Sequence, residues 1–220
     1  MRSPTLVRDV MRPPVLTQEG TWFRELVRLL RDHDTEFLTV VDHQGRPVGA
    51  VTEEDLLLKL TRRWLDEPAE GLESAGRRTE RRKAAAVTAR ELMSEPLLTI
   101  AASRPAAEAA RLMRERDVRH LAVLDAGGWP AGVVDRSDVL ALLLRPDEVI
   151  REDVEDLLAH LLRGGAASIG VQVCDGVAIL RLARPADVPL EDLLPDVREV
   201  EGVLAARVAD STVERWRCPG

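Results

Sequence analysis

The chain has 220 residues, 45% of them hydrophobic and 31% charged, enough to bury a core and to form one large domain or two to three small ones. Its net charge of −7 is unevenly placed: residues 1–145 hold 23 Lys+Arg and 23 Asp+Glu, and residues 146–220 hold 8 and 15. An acidic end repels phosphate backbones and anionic lipid, which argues against both as partners.

In chain order, a short helix is expected to end before Pro14, since the residue preceding a proline is pushed out of the α region. An extended Val15-Leu16-Thr17 follows, then a helix with Phe23, Leu26, Val27 and Leu30 at helical spacing. Leu38–Val41 reads as a buried strand, a Gly- and Pro-bearing turn follows, and Val48–Thr52 returns as a second strand. A closing helix starts near Glu53. The stretch 66–88 is rich in Pro, Gly, Ser and charge and reads as a linker or a weakly packed helix. Its run Arg77–Lys83 holds five basic residues without an aromatic, which fits a solvated helix face better than a nucleic-acid contact.

The same order then repeats. Residues 5–17 align with 87–99 at an offset of 82, with Arg8/Arg90, Met11/Met93, Pro14/Pro96, Leu16/Leu98 and Thr17/Thr99 identical. Residues 36–55 align with 119–138 at an offset of 83, with Asp42/Asp125, Gly45/Gly128, Pro47/Pro130, Gly49/Gly132 and Asp55/Asp138 among the matches. Copy two therefore predicts a strand at Leu97–Ile100, a helix with Ala106, Ala109, Ala110 and Met113 inward, strands at Leu121–Leu124 and Ala131–Asp135, and a helix from Arg136. One β-α-β-β-α unit is marginal alone, and two packed sheet to sheet close a core.

Gly49-Ala-Val-Thr52-Glu-Glu-Asp55 and Gly132-Val-Val-Asp135-Arg-Ser137-Asp138 resemble the G-x-[VI]-[ST]-x-x-D motif of the CBS-domain pair, or Bateman module, over about residues 5–145. That resemblance implies an adenosine-containing ligand, of the AMP, ATP or S-adenosylmethionine type, in the cleft between repeats with its ribose on the Asp. Gly49 would let backbone approach the ligand, Thr52 would bond a sugar or phosphate oxygen, and Asp55 would take the ribose. The alternative is structural: Thr52 caps the closing helix and Asp55 favours its N-terminal dipole. Arg119-His120 resembles the basic pair that meets phosphate in AMP-binding members, where copy one has Glu36-Phe37. A solvated strand end is the alternative there. In copy two Ser137, at the place of Glu54, can still donate, Asp138 is the counterpart of Asp55, and Thr17 and Thr99 complete the ligand-binding candidates. Asp135 replaces the hydroxyl in copy two, so one competent site is expected rather than two, with Asp55 mattering more than Asp138.

After Pro146 the pattern changes. Ile150, Val154, Leu157, Leu158 and Leu161 stripe a helix ending at Gly164-Gly165; Ile169, Val171 and Val173 alternate as a strand; Asp175-Gly176 signals a hairpin into Val177–Leu182. A helix over about Leu190–Val200, interrupted by Pro195, and a strand at Val203–Val208 complete an α-β-β-α-β order. With Asp147-Glu-Val-Ile150 and Val200-Glu-Gly-Val203 this resembles a BON domain, although Ala183-Arg-Pro185 stands where that family has a glycine. The expected division is repeat one 5–65, linker 66–86, repeat two 87–145 and a BON-like domain 147–210. The fold class is mixed α/β (α+β).

Catalysis has no candidate. His33, His43, His120 and His160 lack metal-ligand spacing, Cys174 lacks a basic neighbour in sequence, Cys218 near the end follows Arg217 but stands in no catalytic motif, and no nucleophile elbow or P-loop occurs. The longest apolar run, Val139–Leu144, falls far below the ~20 residues of a membrane span. The start Met1-Arg-Ser-Pro4 shows no secretory pattern, so a cytoplasmic, non-enzymatic protein is expected. Its function is expected to be regulatory: an adenosine-type ligand shifts the repeat pair and an unidentified protein partner reads the change. A ligand-free dimerisation scaffold is the alternative, and nucleic-acid binding through 77–83 a weaker one. Apolar residues left on helices (Trp22, Leu26 and Leu29; Leu140, Leu143 and Leu144) predict a homodimer.

Overall fold

The computed structural model describes residues 4–65, 74–162, 169–182 and 189–209. The expected helix stop Gly164-Gly165, the segment Ala183–Pro185, linker residues 66–73 and Cys218 lie outside them. The chain divides into two compact units, Thr5–Arg136 and the chain from Ser137 on.

In the first unit, α1 (Val7–Val10), β1 (Leu16–Gln18), α2 (Phe23–Asp32), β2 (Phe37–Val41), β3 (Pro47–Thr52) and α3 (Glu53–Leu65) form the first repeat. A linker helix α4 (Ala75–Ala85) follows. The second repeat is α5 (Ala89–Leu92), β4 (Thr99–Ala101), α6 (Ala106–Arg116), β5 (His120–Leu124), β6 (Pro130–Asp135) and α7 (Arg136–Leu140), whose residues after Arg136 belong to the second unit. Each repeat builds a three-stranded sheet, β1-β2-β3 or β4-β5-β6, with one parallel and one antiparallel pairing. Both sheets carry an irregularity at the same place, Val40/Val41 and Val123/Leu124.

The repeated Asp, Gly and Pro make the turn between the paired strands. Asp42 Oδ1 accepts from the amides of Gln44 (2.8 Å) and Arg46 (2.9 Å), and Gly45 takes φ +82°. Asp125 does the same for Gly127 and Trp129, with Gly128 at φ +80°. Such side-chain turns need a short acceptor first and a residue tolerant of positive φ fourth. The Arg46 amide, with the Gln44 amide and the charges of His43 and Arg46 adding to it, holds the Asp42 carboxyl below its ordinary value against the opposing effect of desolvation.

Each repeat's sheet is crossed by the lead-in segment of the other copy. The lead-in of repeat one bridges Arg12 to Val133, and the lead-in of repeat two bridges Ser94 to Ala50. Met11 and Met93 thereby lie against Gly132 and Gly49. A Cβ on Gly49 would sit 2.7 Å from the Met93 sulfur, and one on Gly132 2.7 Å from the Met11 sulfur and 2.8 Å from the Arg12 carbonyl oxygen. The motif glycine thus makes room for methionine, a different close approach from the ligand contact expected of it.

Leu26, Leu30, Leu38, Val40, Val51 and Leu92 anchor the core of the first sheet, and Phe37, Ala50, Ala122 and Val133 form a cluster drawn from both repeats. Leu26 is fully buried, so it belongs to this core and not to a surface left for a partner; Trp22 is 69% exposed and Leu29 partly buried. Ala110 of the expected α6 stripe is exposed, whereas Ala106, Ala109 and Met113 are buried. Within the basic run, Arg78, Arg81 and Arg82 are exposed as expected of a solvated face. Lys83 departs from that expectation: it is 7% exposed.

In the second unit, a 3-10 turn (Ala141–Leu144) precedes α8 (Asp147–Leu161), whose Ile150, Val154 and Leu158 are buried. The strands β7 (Ile169–Cys174) and β8 (Val177–Leu182) pair antiparallel through Asp175 (φ +49°) and Gly176 (φ +70°). Asp147 accepts from the amides of both turn residues, at 2.8 and 2.9 Å, tying the start of α8 to the hairpin. Cys174 is disulfide-bonded. The expected helix over 190–200 is a 3-10 turn (Leu190–Leu193) running into α9 (Leu194–Arg198). Pro195 stands at the beginning of α9, where its missing N–H costs little. A last strand, β9 (Ala205–Val208), pairs parallel with β8. The resulting order is α-β-β-α-β.

Candidate functional site

A cavity of about 670 Å³ opens in the first unit between the two repeats, and its volume lies within the usual range for small-molecule sites. The end of β3 and start of α3 bring Thr52 and Asp55 to it, and the start of β5 brings Arg119 and His120. Phe37, Leu97 and Leu98 supply apolar wall, and Ser94 and Arg136 add polar groups.

Thr52 and Asp55 cap α3 reciprocally. The Thr52 amide and hydroxyl donate to Asp55 Oδ2 at 2.9 and 3.0 Å, and the Asp55 amide lies 3.4 Å from the Thr52 hydroxyl. A residue with a short oxygen at the N-cap and an acid three positions on satisfies two orphan helix amides. The other carboxylate oxygen, Oδ1, meets Lys83 Nζ at 2.5 Å, and Lys83 donates also to Ser94 Oγ at 2.7 Å. Both side chains of this pair are about nine-tenths buried. Asp55 is therefore a capping residue and half of a buried ion pair. Nothing in the local sequence announced Lys83, which reaches Asp55 across 28 positions.

On the facing repeat, His120 stacks on Phe37 with ring centroids 5.4 Å apart. Glu36 stands 3.8 Å from Arg119 and 3.7 Å from the imidazole Nε2. Arg136 donates to the Val118 carbonyl at 3.0 Å and pairs with Asp117 at 3.3 Å. Burial pushes the His120 pKa below its ordinary value, more than neighbouring Asp135 and Glu36 raise it. The imidazole therefore enters the cleft mainly as a neutral hydrogen-bonding group, not as a second cation.

The equivalent place in the other half of the repeat pair is filled differently. Arg12, the counterpart of Ser94, forms an ion pair with Asp135, the counterpart of Thr52. The carboxylate that replaces the hydroxyl is thereby neutralised by the chain's own arginine.

The structure brings together Thr52, Asp55, Arg119 and His120. The remaining candidates stand apart from the cavity lining. Thr17 lies buried in β1 with no hydrogen-bond partner for its hydroxyl among the described residues, and Thr99 lies half-buried in β4. Ser137 and Asp138 belong to α7 and fall in the second unit. Sequence reasoning missed Lys83, Ser94, Glu36 and Arg136. For Glu36 and Ser94 the signal was the repeat itself, since they are the counterparts of Arg119 and Arg12. Among the described residues no cluster of three or more His, Cys, Asp or Glu could hold a metal, and no helix is long and apolar enough to cross a membrane.

The CBS domain family model matches residues 7–62 and 89–145. An uncharacterized protein of Methanopyrus kandleri is 29% identical over 141 residues, covering 64% of this chain and 63% of its own, so the chain spans less than two thirds of that relative. A CBS domain-containing protein of Dictyostelium discoideum is 33% identical over 141 residues, 64% of this chain and 92% of its own. Among solved structures, CBSX2 of Arabidopsis thaliana in complex with AMP is 26% identical, with a TM-score of 0.53 over 64% of this chain and 97% of that one. With both repeats matched and their strands, turns and lead-in segments interlocked as a pair, the chain belongs to the CBS domain family and carries a tandem CBS pair, a Bateman module.

Proposed function

We propose that the CBS pair is a non-catalytic sensor that takes one adenosine-containing ligand, AMP the first candidate, in the cleft between Thr52-Asp55 and Arg119-His120. The observation that carries this reading is the convergence of those four residues, two from each repeat, on one cavity of about 670 Å³. The AMP complex of CBSX2 supports it by similarity. In this reading the sugar lies toward Thr52 and Asp55 and the phosphate toward Arg119, with His120 donating a neutral N–H. The phosphate must compete with Glu36 for Arg119, which limits affinity for phosphate alone. The purine takes the apolar wall of Phe37, Leu97 and Leu98. The half-site at Asp135 stays closed because Arg12 already answers its charge.

The C-terminal α-β-β-α-β unit is read as a BON-like interaction module that presents the ligand state to a protein partner in the cytoplasm. The chain pairs as a homodimer through helices that leave Trp22 exposed in one unit and Leu140, Leu143 and Leu144 exposed in the other. Coupling to any partner is bounded by the ligand's differential affinity for the two geometries of the pair. A thermal-shift screen with AMP, ADP, ATP, S-adenosylmethionine and NAD, on wild type and Arg119→Ala, tests the reading. Stabilisation by a phosphorylated adenosine ligand that Arg119→Ala reduces supports it. No stabilisation by any of the five favours the alternative, a ligand-free dimerisation scaffold.

A further inference from the structure

The chain has two lysines among its 31 basic residues, Lys59 and Lys83, and both sit where the linker returns to the first repeat. Lys59 donates to the carbonyl of Ala86. Lys83 comes from the last turn of α4 and, unlike Arg81 and Arg82 beside it, turns inward. Its ammonium bridges Asp55 and Ser94, both of which line the cleft.

A carboxylate offers about four lone-pair positions. On Asp55, Oδ2 already accepts twice from Thr52, and Oδ1 accepts once from Lys83. One position on Oδ1 is left. A vicinal diol that binds a single carboxylate donates two hydrogens and needs two positions. The second can come only from Lys83 or from the Thr52 cap. Breaking a buried ion pair costs more than a single charged hydrogen bond returns, and displacing a Thr52 donor gives up the cap that starts α3, so the second hydroxyl gains little by either route. Arginine at this place would bring a wider, forked group, whereas an ammonium fits between two oxygens as a point charge.

We infer that Lys83 is a specificity-determining residue: by occupying Asp55 it lets the cleft read only one hydroxyl of a ribose, so that ribo- and 2′-deoxyribonucleoside monophosphates bind alike. The inference rests on the proposed nucleotide reading of the cleft. It also gives the linker helix a part in ligand choice, since the residue that limits the sugar contact is carried by α4 and not by either repeat.

The test is calorimetry with AMP and 2′-deoxyadenosine 5′-monophosphate, on wild type and on Lys83→Met. Wild type is expected to bind the two within about threefold of each other, and Lys83→Met to favour AMP by roughly tenfold or more, the worth of one regained charged hydrogen bond. A wild-type preference for AMP of tenfold or more overturns the inference, and that arm needs no variant to fold. A folded Lys83→Met with the same ratio as wild type overturns it as well, while leaving the nucleotide reading in place. Failure of wild type to bind either nucleotide overturns the nucleotide reading, and the inference falls with it.

Discussion

His120 and Phe37 occupy equivalent positions of the two repeats, and their rings stack on one another, 5.4 Å between centroids. The neighbouring equivalents, Arg119 and Glu36, face each other in the same way with opposite charge. The internal symmetry of the pair thus brings one residue type from each copy to a common line. Divergence between the copies is what gives that line its chemistry.

Burial holds the His120 pKa below its ordinary 6.5 in the folded chain. Below pH 6.5 the unfolded chain takes up a proton that the folded chain resists, so stability falls as pH drops from 6.5 through the lowered value. Above 6.5 this contribution is constant. Thermal melts from pH 7.5 to 5 are expected to show a decline that His120→Gln makes shallower. A His120→Gln protein with an unchanged or steeper decline contradicts the environment described for the imidazole.

Gly49→Ala places a methyl group 2.7 Å from the Met93 sulfur, and Gly132→Ala places one against both the Met11 sulfur and the Arg12 carbonyl. Overpacking of this kind costs about 1–3 kcal/mol. Gly132→Ala should cost more of that range, because a backbone oxygen yields less readily than a thioether. Urea unfolding of the two variants gives the comparison; equal stability to wild type in both would show that the lead-in segments do not cross the sheets as described.

Much of this was legible in sequence because it is local. Asp42, Gly45 and Pro47 specify their turn within six residues, and the duplication at 125–130 doubles the signal. Strand limits followed from short apolar runs between those turns. The site was half legible. Thr52, Asp55, Arg119 and His120 stood out because the repeat aligned them, but what Asp55 does depends on Lys83, and a basic run gives no sign of which member turns inward. Pro195 reads as an interruption of one long helix, whereas its tolerance at a helix start places a 3-10 turn before it and a short helix after it.

The Asp55–Lys83 pair is expected to dominate the stability of the first repeat's helical corner. Removing one member strands the other as a buried charge, at about 3–5 kcal/mol. Asp55→Ala should therefore lower the unfolding free energy by that order, and Asp55→Ala combined with Lys83→Met should lose less than the two single changes summed. A double-mutant cycle in denaturant checks it, and strict additivity would mean that the two groups do not interact.

The most direct measurement is titration calorimetry of AMP into the full chain, read for stoichiometry and repeated on Arg119→Ala. One competent cleft and one closed by Arg12 and Asp135 predict one AMP per chain, with affinity reduced about tenfold or more when the phosphate loses its charged partner Arg119. Two AMP per chain, no binding, or binding that Arg119→Ala leaves unchanged would contradict a nucleotide site between Thr52-Asp55 and Arg119-His120.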